Sequence, residues 1–501
     1  MSTTAIPRSF LDPWTQRLKD SRSEQLNDFP SYHVSDPETL VTSASLASLT
    51  VGNGAYIYRD TLVPAILDAR HEVTLVTCFW AESDTLSSVQ AALAELASRR
   101  RREIEAALDP EAVPPLRIRI GFSSRSFFQK IFHPWTRDGY VYPCSAWSKL
   151  GLPDQKVLAA ARMDLQVKTL FFLPFSVMHP KFVIVDRERA FMPSCNVSWE
   201  TWFEGCVEFT GPAVAQLVRF YASTWGRGEG QDWDEPQQHG DRQLAAPVST
   251  VQHSALPTTT NSSCRKIDID LPSTPAILLP SSHHANPAFR YLPFFGRKSP
   301  PPTPLNTALL TLFETAQARI DIITPNLTCS AVVNALLGAL SRGVDVRIRT
   351  SFNMMLFEQI VTGLTTTEQT LKGLIKRYEQ LVARFRAKAL SDAETQDLRP
   401  GLLHILYYQG HNAEDDRDEP VLSHMKMTLV DRSFLLLGSG NLDRASWYTS
   451  QELGVLFCTP YFEATPWDEV WESRSCTRYR PKQADAGSIA ESERRLGPLR
   501  C

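Results

Sequence analysis

The sequence lacks several features that define large classes of proteins. Its longest apolar run, Leu170 to Met178, is too short to span a bilayer, and its first residues do not form the apolar core of a signal peptide. Nine cysteines, an odd number without a Cys-x-x-Cys pair, fit neither a disulfide framework nor a zinc site. These absences predict an intracellular protein, cytoplasmic or peripheral to a membrane, with reduced thiols and no metal.

The sequence also lacks an excess of positive charge. A net charge of −3 does not favour the basic surface on which tight, sequence-independent binding to nucleic acid depends. Nucleic acid therefore ranks below other partners. With 501 residues, the chain is longer than a single core usually supports, so two domains or two fused halves are expected.

One pattern of polar residues occurs twice. It reads His-x-Lys, four further residues and Asp, and then, after a mostly apolar stretch, Ser-x-Asn. The first copy consists of His179, Lys181, Asp186, Ser194 and Asn196, and the second of His424, Lys426, Asp431, Ser439 and Asn441. The offsets within the two copies are identical. A chance arrangement of strand residues does not explain such a match, so the pattern predicts a function.

A segment that begins with glutamate follows each copy. Glu204 opens the first of these segments and Glu452 opens the second. Glu204 lies three residues closer to its asparagine than Glu452 does. Glu208, further along the first segment, is therefore a rival to Glu204 for the matching position.

The motif segments predict buried strand hairpins, because the residues that follow each lysine are mostly apolar and β-branched. A two-residue turn at Arg187-Glu188 would place Lys181 opposite Ser194 and His179 opposite Asn196. The same register, with a turn at Arg432-Ser433, would pair Lys426 with Ser439 and His424 with Asn441. Each hairpin would then present an imidazole, an ammonium, a hydroxyl and an amide to one place.

These groups suit the chemistry of a phosphodiester. An imidazole can attack phosphorus or protonate a leaving oxygen. Lysine and asparagine can stabilise the charge that develops on phosphate oxygens. Two histidines would meet both catalytic demands, so no metal or other cofactor is expected.

The duplication extends beyond the motifs. Leu116-Arg-Ile-Arg-Ile and Val346-Arg-Ile-Arg-Thr both follow a predicted strand and a predicted helix, so two homologous α/β halves are expected. The predicted organisation is an N-terminal extension (1–50), a first half (51–225), a flexible linker (226–263), a second half (264–472) and a charged C-terminal tail (473–501). In the second half, a long basic amphipathic helix fits packing on its own domain better than contact with a membrane, which stays the alternative.

The double motif resembles the phospholipase D superfamily, whose signature is His-x-Lys, four residues, Asp and then Gly-Ser-x-Asn. Gly438 keeps that glycine in the second copy, whereas Pro193 takes its place in the first. The resemblance implies two halves, each a mixed sheet flanked by helices, packed about a pseudo-twofold axis with their motif strands at one active site. It also implies that Glu204 and Glu452 orient motif histidines. Since both halves are in one chain, a monomer is expected.

The resemblance further implies a phosphodiesterase or phosphatidyltransferase that acts on phospholipids in two steps. One histidine attacks phosphorus while the other protonates the leaving alcohol, and water or a second alcohol then resolves the phosphohistidine. The nucleophile is usually the histidine of the first motif, here His179, which leaves His424 as the acid. The chain looks most like the cardiolipin synthase and bacterial phospholipase branch. A nuclease of the same superfamily and a non-catalytic scaffold that keeps the fold are the alternatives.

Overall fold

The structure is a computed structural model that describes residues 5–21, 36–126, 129, 138–172, 176–198, 201–229, 264–281, 299–391, 399–410, 419–459, 462 and 474–481. The predicted linker, from residue 230 onwards, lies outside the described residues. So does the predicted C-terminal tail apart from residues 474–481.

The elements up to residue 229 are as follows. The helices are α1 (Arg8–Asp20), α2 (Gly54–Ile57), α3 (Val63–Leu67), α4 (Asp84–Ala106), α5 (Gln155–Ala160) and α6 (Pro212–Thr224). The strands are β1 (Val41–Asn53), β2 (Glu72–Phe79), β3 (Leu116–Ser124), β4 (Tyr140–Val141), β5 (Met163–Thr169), β6 (Phe171–Phe172), β7 (Ser176–Val177), β8 (Phe182–Val185), β9 (Arg189–Pro193) and β10 (Trp202–Thr210).

The elements from residue 264 onwards are again a mixture of helices and strands. The helices are α7 (Pro304–Thr315), α8 (Ser330–Ser341), α9 (Leu356–Gly363), α10 (Thr367–Ser391) and α11 (Arg444–Tyr448). The strands are β11 (Cys264–Ser281), β12 (Arg319–Ile323), β13 (Asp345–Thr350), β14 (Leu403–Tyr408), β15 (Leu422–Ser423), β16 (Met427–Val430), β17 (Phe434–Gly438), β18 (Glu452–Cys458) and β19 (Ser475–Tyr479).

The strand order of the first half is repeated in the second half, and the two series meet in the middle of the main sheet. From the first half the order is β5-β3-β2-β8-β9-β10-β1, and from the second half it is β14-β13-β12-β16-β17-β18-β11. In both series the first three strands are parallel and each later pairing is antiparallel. β1 and β11 pair in the middle and join the halves. This confirms the prediction of an α/β fold with two halves built on a mixed sheet and flanked by helices.

The N-terminal region is part of this core rather than an extension of it. Phe10 and Trp14 of α1 are buried against helices of the second half, and the indole N–H of Trp14 donates to the carbonyl of Pro304 (3.1 Å). Strand β1 begins at Val41, within the segment that was predicted to precede the first half. The apolar residues of α1 form a short helical face, and nothing in the sequence indicates that this face packs on the second half.

The motif hairpins form, but their predicted register is wrong by one residue. Val183 pairs with Phe191, not with Met192, and Met427 pairs with Leu437, not with Gly438. Each turn is longer than predicted because the motif aspartate belongs to it, with φ of 53° at Asp186. An aspartate tolerates this left-handed conformation better than most residues. Neither sequence contained the Asn-Gly signal that would have fixed the turn.

Among the described residues, no helix combines the length and the apolar composition that crossing a bilayer requires.

Candidate active site

Each motif histidine is held by the glutamate of the other half. Nδ1 of His424 lies 2.8 Å from Oε1 of Glu204, and Nδ1 of His179 lies 2.9 Å from Oε2 of Glu452. The backbone makes the same crossing, since His424 N donates to Phe203 O and His179 N donates to Gln451 O, both at 2.9 Å. The strands that carry the two glutamates therefore position the histidines across the interface between the halves.

The motif serines fix the glutamates from within their own halves. Ser194 donates its hydroxyl to Glu204 and accepts the backbone N–H of Gly205 (2.9 Å). Ser439 makes the corresponding pair of hydrogen bonds with Glu452 and with the N–H of Leu453 (3.1 Å). Each half thus supplies a serine–glutamate pair that orients a histidine of the other half.

Pro193 does not displace these groups. Its neighbour Ser194 still donates its backbone N–H to the carbonyl of Gly205 (2.7 Å), as Ser439 does to the carbonyl of Leu453 (3.0 Å). At the corresponding position of the second copy, a Cβ on Gly438 would lie only 2.4 Å from the carbonyl oxygen of Leu453, so glycine is required there.

The two candidate glutamates of the first half make different contacts. Glu204 contacts a motif histidine, whereas Glu208 accepts from the hydroxyl of Ser48 (3.2 Å) and from the guanidinium of Arg189 (2.8 Å). The spacing between the asparagine and the glutamate is three residues shorter in the first half than in the second. In the second half, helix α11 lies between the corresponding residues.

Two lysines stand beside the histidines. Lys181 donates to the carbonyl of His179 (3.0 Å), and Lys426 donates to the carbonyl of His424 (2.7 Å). Nζ of Lys426 also lies 2.8 Å from Nε2 of His424. Both lysines are buried. No described residue forms a hydrogen bond with Nε2 of His179.

The electrostatics of the site favour neutral imidazoles. Burial, together with the ammonium of Lys426, lowers the pKa of His424 to about 3. Burial also lowers the pKa of His179, against the opposing effect of Glu452. Burial raises the pKa of Glu204, but His424, Lys426 and Ser194 outweigh it and hold that pKa below its usual range. The histidines therefore donate Nδ1–H to glutamate oxygens and keep a lone pair at Nε2.

The lysine ammoniums are close enough to the histidines of both halves to influence them. Lys426 contributes to the lowered pKa of His179, and Lys181 contributes to that of His424. Burial lowers the pKa of Lys426 itself to about 7. The two histidines and two lysines thus form one electrostatic unit, which can release a proton near neutral pH.

The two motif asparagines are bound differently. Asn196 accepts at Oδ1 from the backbone N–H of Phe79 (3.2 Å), and no described residue accepts from its Nδ2. Asn441 donates Nδ2 to Asp443 (3.2 Å), while its buried Oδ1 has no hydrogen-bond partner among the described residues. Asn196 therefore keeps both of its amide N–H groups for a substrate in this arrangement, whereas Asp443 takes one of the two N–H groups of Asn441.

The motif aspartates do not join the histidines. Asp186 accepts three backbone N–H groups, those of Arg70, His71 and Glu72, at 2.7–3.2 Å. Asp431 likewise accepts from residues 317–319, at 2.8–2.9 Å. Both lie at the turn end of their strands, and β8 and β16 separate them from the histidines. The structure thus places Asp186 in contact with the start of β2 and Asp431 in contact with the start of β12.

Two residues at the site were missed from the sequence. The ring of Trp202 lies 4.7 Å from that of His424, centroid to centroid, and only 3% of the His424 side chain is exposed, against 16% for His179. Asp443 accepts from Asn441 and caps α11 through the N–H of Ser446 (2.8 Å). The capping pattern could have identified Asp443. Trp202 had no local indication, because its partner belongs to the other half.

A family model matches most of the second half. Residues 309–465 match the family model described as cardiolipin synthase, PLD-like domain. This region includes the second copy of the motif and the glutamate that follows it. No curated protein matches the chain.

Similar folds occur among solved structures. Phosphatidylserine synthase from Haemophilus influenzae Rd KW20 is 13% identical, with a TM-score of 0.47, and the match covers 87% of this chain and 89% of that one. Polyphosphate kinase from Porphyromonas gingivalis is 10% identical (TM-score 0.42; 89% and 52% covered). The phospholipase D family member Nuc from Salmonella typhimurium is 18% identical (TM-score 0.23; 35% and 91% covered). At such low scores these similarities carry no information about substrate.

Proposed function

We propose that this chain, which belongs to the phospholipase D superfamily, is a phosphodiesterase or phosphatidyltransferase that acts on phospholipids through a covalent phosphohistidine. The observation that carries the proposal is the crossed arrangement of His179 with Glu452 and of His424 with Glu204. It provides two oriented imidazoles at one interface. A displacement at phosphorus needs two such groups, one as nucleophile and one as acid.

His179 is the better nucleophile of the two. Its Nε2 has no hydrogen-bond partner among the described residues, and its side chain is more exposed than that of His424. In the first step, Nε2 of His179 attacks phosphorus and the bond from phosphorus to the leaving alcohol breaks. Asn196, Lys181 and Lys426 stabilise the phosphate oxygens as charge develops on them.

His424 and Lys426 act together as the acid. Lys426 is hydrogen-bonded to Nε2 of His424, and its pKa of about 7 makes its proton available near neutral pH. The negative charge of a bound phosphodiester raises the pKa of both groups. Lys426 passes its proton to Nε2 of His424, and the leaving alkoxide takes that proton, which leaves Lys426 and His424 neutral. Water or a second alcohol then attacks phosphorus and gives its proton through His424 back to Lys426, while the bond from phosphorus to His179 breaks.

Product analysis tests this proposal. The chain is incubated with vesicles of phosphatidylglycerol or phosphatidylcholine, with and without glycerol as an alcohol acceptor, beside His179→Ala. Release of headgroup or formation of a transfer product by the wild type alone is expected. If lipids stay intact while a labelled oligonucleotide is cleaved, the substrate is nucleic acid. If neither reacts, the chain is a scaffold.

A further inference from the structure

Helix α9 has its apolar side towards solvent. The side chains of Leu356, Phe357, Ile360, Val361 and Leu364 are all exposed, Phe357 to 82% and Ile360 to 51%. They recur at the spacing of one helical face. Phe352, just before the helix, is exposed as well. We call these six residues the α9 patch. A cluster of exposed apolar side chains of this kind marks an interaction surface.

Gln359 is the one buried residue of α9, and its side chain points inwards. Gln359 is 2% exposed and donates to Asn326 Oδ1 (2.8 Å), while it accepts from the backbone N–H of Thr367 (2.6 Å). The hydrogen bonds of this buried amide fix the rotation of the helix, so the apolar face cannot turn inwards without breaking them. The outward position of the α9 patch is therefore built into the fold.

The α9 patch adjoins the active site. Asn326, which accepts from Gln359, donates to Asp443 (3.4 Å), and Asp443 accepts from Asn441 (3.2 Å). A continuous line of buried polar side chains thus connects the inner side of α9 with the second motif. A surface bound by α9 would therefore be linked to Asn441 by this line of hydrogen-bonded side chains.

The segment that contains the α9 patch and α10 carries an excess of positive charge, although the chain as a whole has a net charge of −3. The segment 352–391 contains the bases Lys372, Lys376, Arg377, Arg384, Arg386 and Lys388 against the acids Glu358, Glu368 and Glu379. Hydrogen bonds from Thr367, at the start of α10, to Gln359 join the two helices, and the exposed Lys372 and Lys376 follow within the first three turns of α10. Arg444 lies near its other end, beside Gly363.

We propose that the α9 patch docks on an anionic membrane, with its apolar side chains in the interfacial region and the basic residues of α10 against lipid phosphates. Such a surface combines the apolar face and the adjacent cations that interfacial helices use. A second copy of the chain fits less well, because it would bring the same positive charge against this one. The assignment of the membrane as the source of substrate rests on the proposed function.

Vesicle flotation tests the proposal without requiring turnover. The full chain is mixed with vesicles of equal parts phosphatidylglycerol and phosphatidylcholine, and separately with pure phosphatidylcholine. We expect binding to the anionic vesicles that weakens in high salt, because the electrostatic part is screened. The double variant Phe357→Ser/Ile360→Ser should bind at least about tenfold more weakly. The matched variant Leu108→Ser/Val157→Ser, which removes exposed apolar side chains of the first half, should bind like the wild type.

Equal binding by the Phe357→Ser/Ile360→Ser variant, equal losses in both double variants, or absence of wild-type binding would overturn the proposal. So would sedimentation that shows a dimer which only the Phe357→Ser/Ile360→Ser variant abolishes. Thermal unfolding of each variant checks that it is folded. Turnover of bis(p-nitrophenyl) phosphate, which is dissolved in water, reports on the site separately. Vesicle binding without any turnover would contradict the proposed function and leave docking intact.

Discussion

His424 and Glu204 are 220 positions apart in the chain, yet Nδ1 of His424 lies 2.8 Å from Oε1 of Glu204. His179 and Glu452 repeat the relationship in the opposite direction. Neither half on its own therefore contains an oriented histidine. The duplication is functional as well as architectural, because each half completes the site of the other.

Replacement of Glu204 by glutamine should impair catalysis more than binding. The amide can present an N–H to Nδ1 of His424 and so favour the wrong tautomer, and it lacks the charge that stabilises a protonated ring. We expect kcat to fall by about 10²-fold or more. Steady-state kinetics on a phospholipid substrate measure this.

Glu208→Gln is the matched control for that measurement. Glu208 lies on the same strand but contacts Ser48 and Arg189 instead of a histidine. Its kcat should stay close to the wild-type value. If Glu204→Gln and Glu208→Gln reduce kcat alike, the histidine contact is not what makes Glu204 important.

The low pKa of His424 should make the protein less stable in mild acid. Between the unfolded-state pKa of 6.5 and the folded-state value of about 3, only the unfolded chain takes up a proton at this residue. Stability is therefore full above pH 6.5 and decreases as the pH falls. At pH 5 the loss amounts to about 2 kcal/mol.

Urea denaturation of the wild type and of His424→Asn at pH 7.5 and pH 5 isolates this contribution. The wild type should lose about 2 kcal/mol more between the two pH values than the variant does. His179 titrates in both proteins, so its effect cancels. Parallel losses would show that His424 is not held neutral by its surroundings.

Asp186→Ala should affect stability more than catalysis. The carboxylate accepts three backbone N–H groups at the start of β2, and its removal leaves them without that partner. We expect the free energy of unfolding to fall by about 2 kcal/mol. Asp154→Ala, which removes a cap on one exposed backbone N–H, should cost less. A large loss of kcat with unchanged stability would instead assign Asp186 to the chemistry.

The sequence predicted those parts of the fold that depend on local patterns. The motif strands and the two α/β halves follow from apolar periodicity and from the repeated offsets. The hairpin register was predicted wrongly by one residue, because the turn at Asp186 is set by a contact of its carboxylate with residues 70–72. That contact joins segments more than a hundred positions apart, and no local turn pattern encodes it.

The sequence predicted a set of residues for the candidate site but not their arrangement in space. Two hairpins, each with its own histidine, lysine, serine and asparagine, were expected to act side by side. The crossing of His179 to Glu452 depends on how the halves pack, as does the cover of Trp202 over His424. The outward apolar face of α9 was not predicted either, because only the tertiary partners of Gln359 explain why that face is outside.

The most direct test of the account is to trap the covalent intermediate. The wild type, His179→Ala and His424→Ala are quenched during reaction with phosphatidylglycerol, and their peptides are examined by mass spectrometry. We expect a phosphatidyl adduct on His179 in the wild type and none in His179→Ala. An adduct on His424 alone would reverse the assigned roles, and turnover by His179→Ala at the wild-type rate would contradict covalent catalysis by this residue.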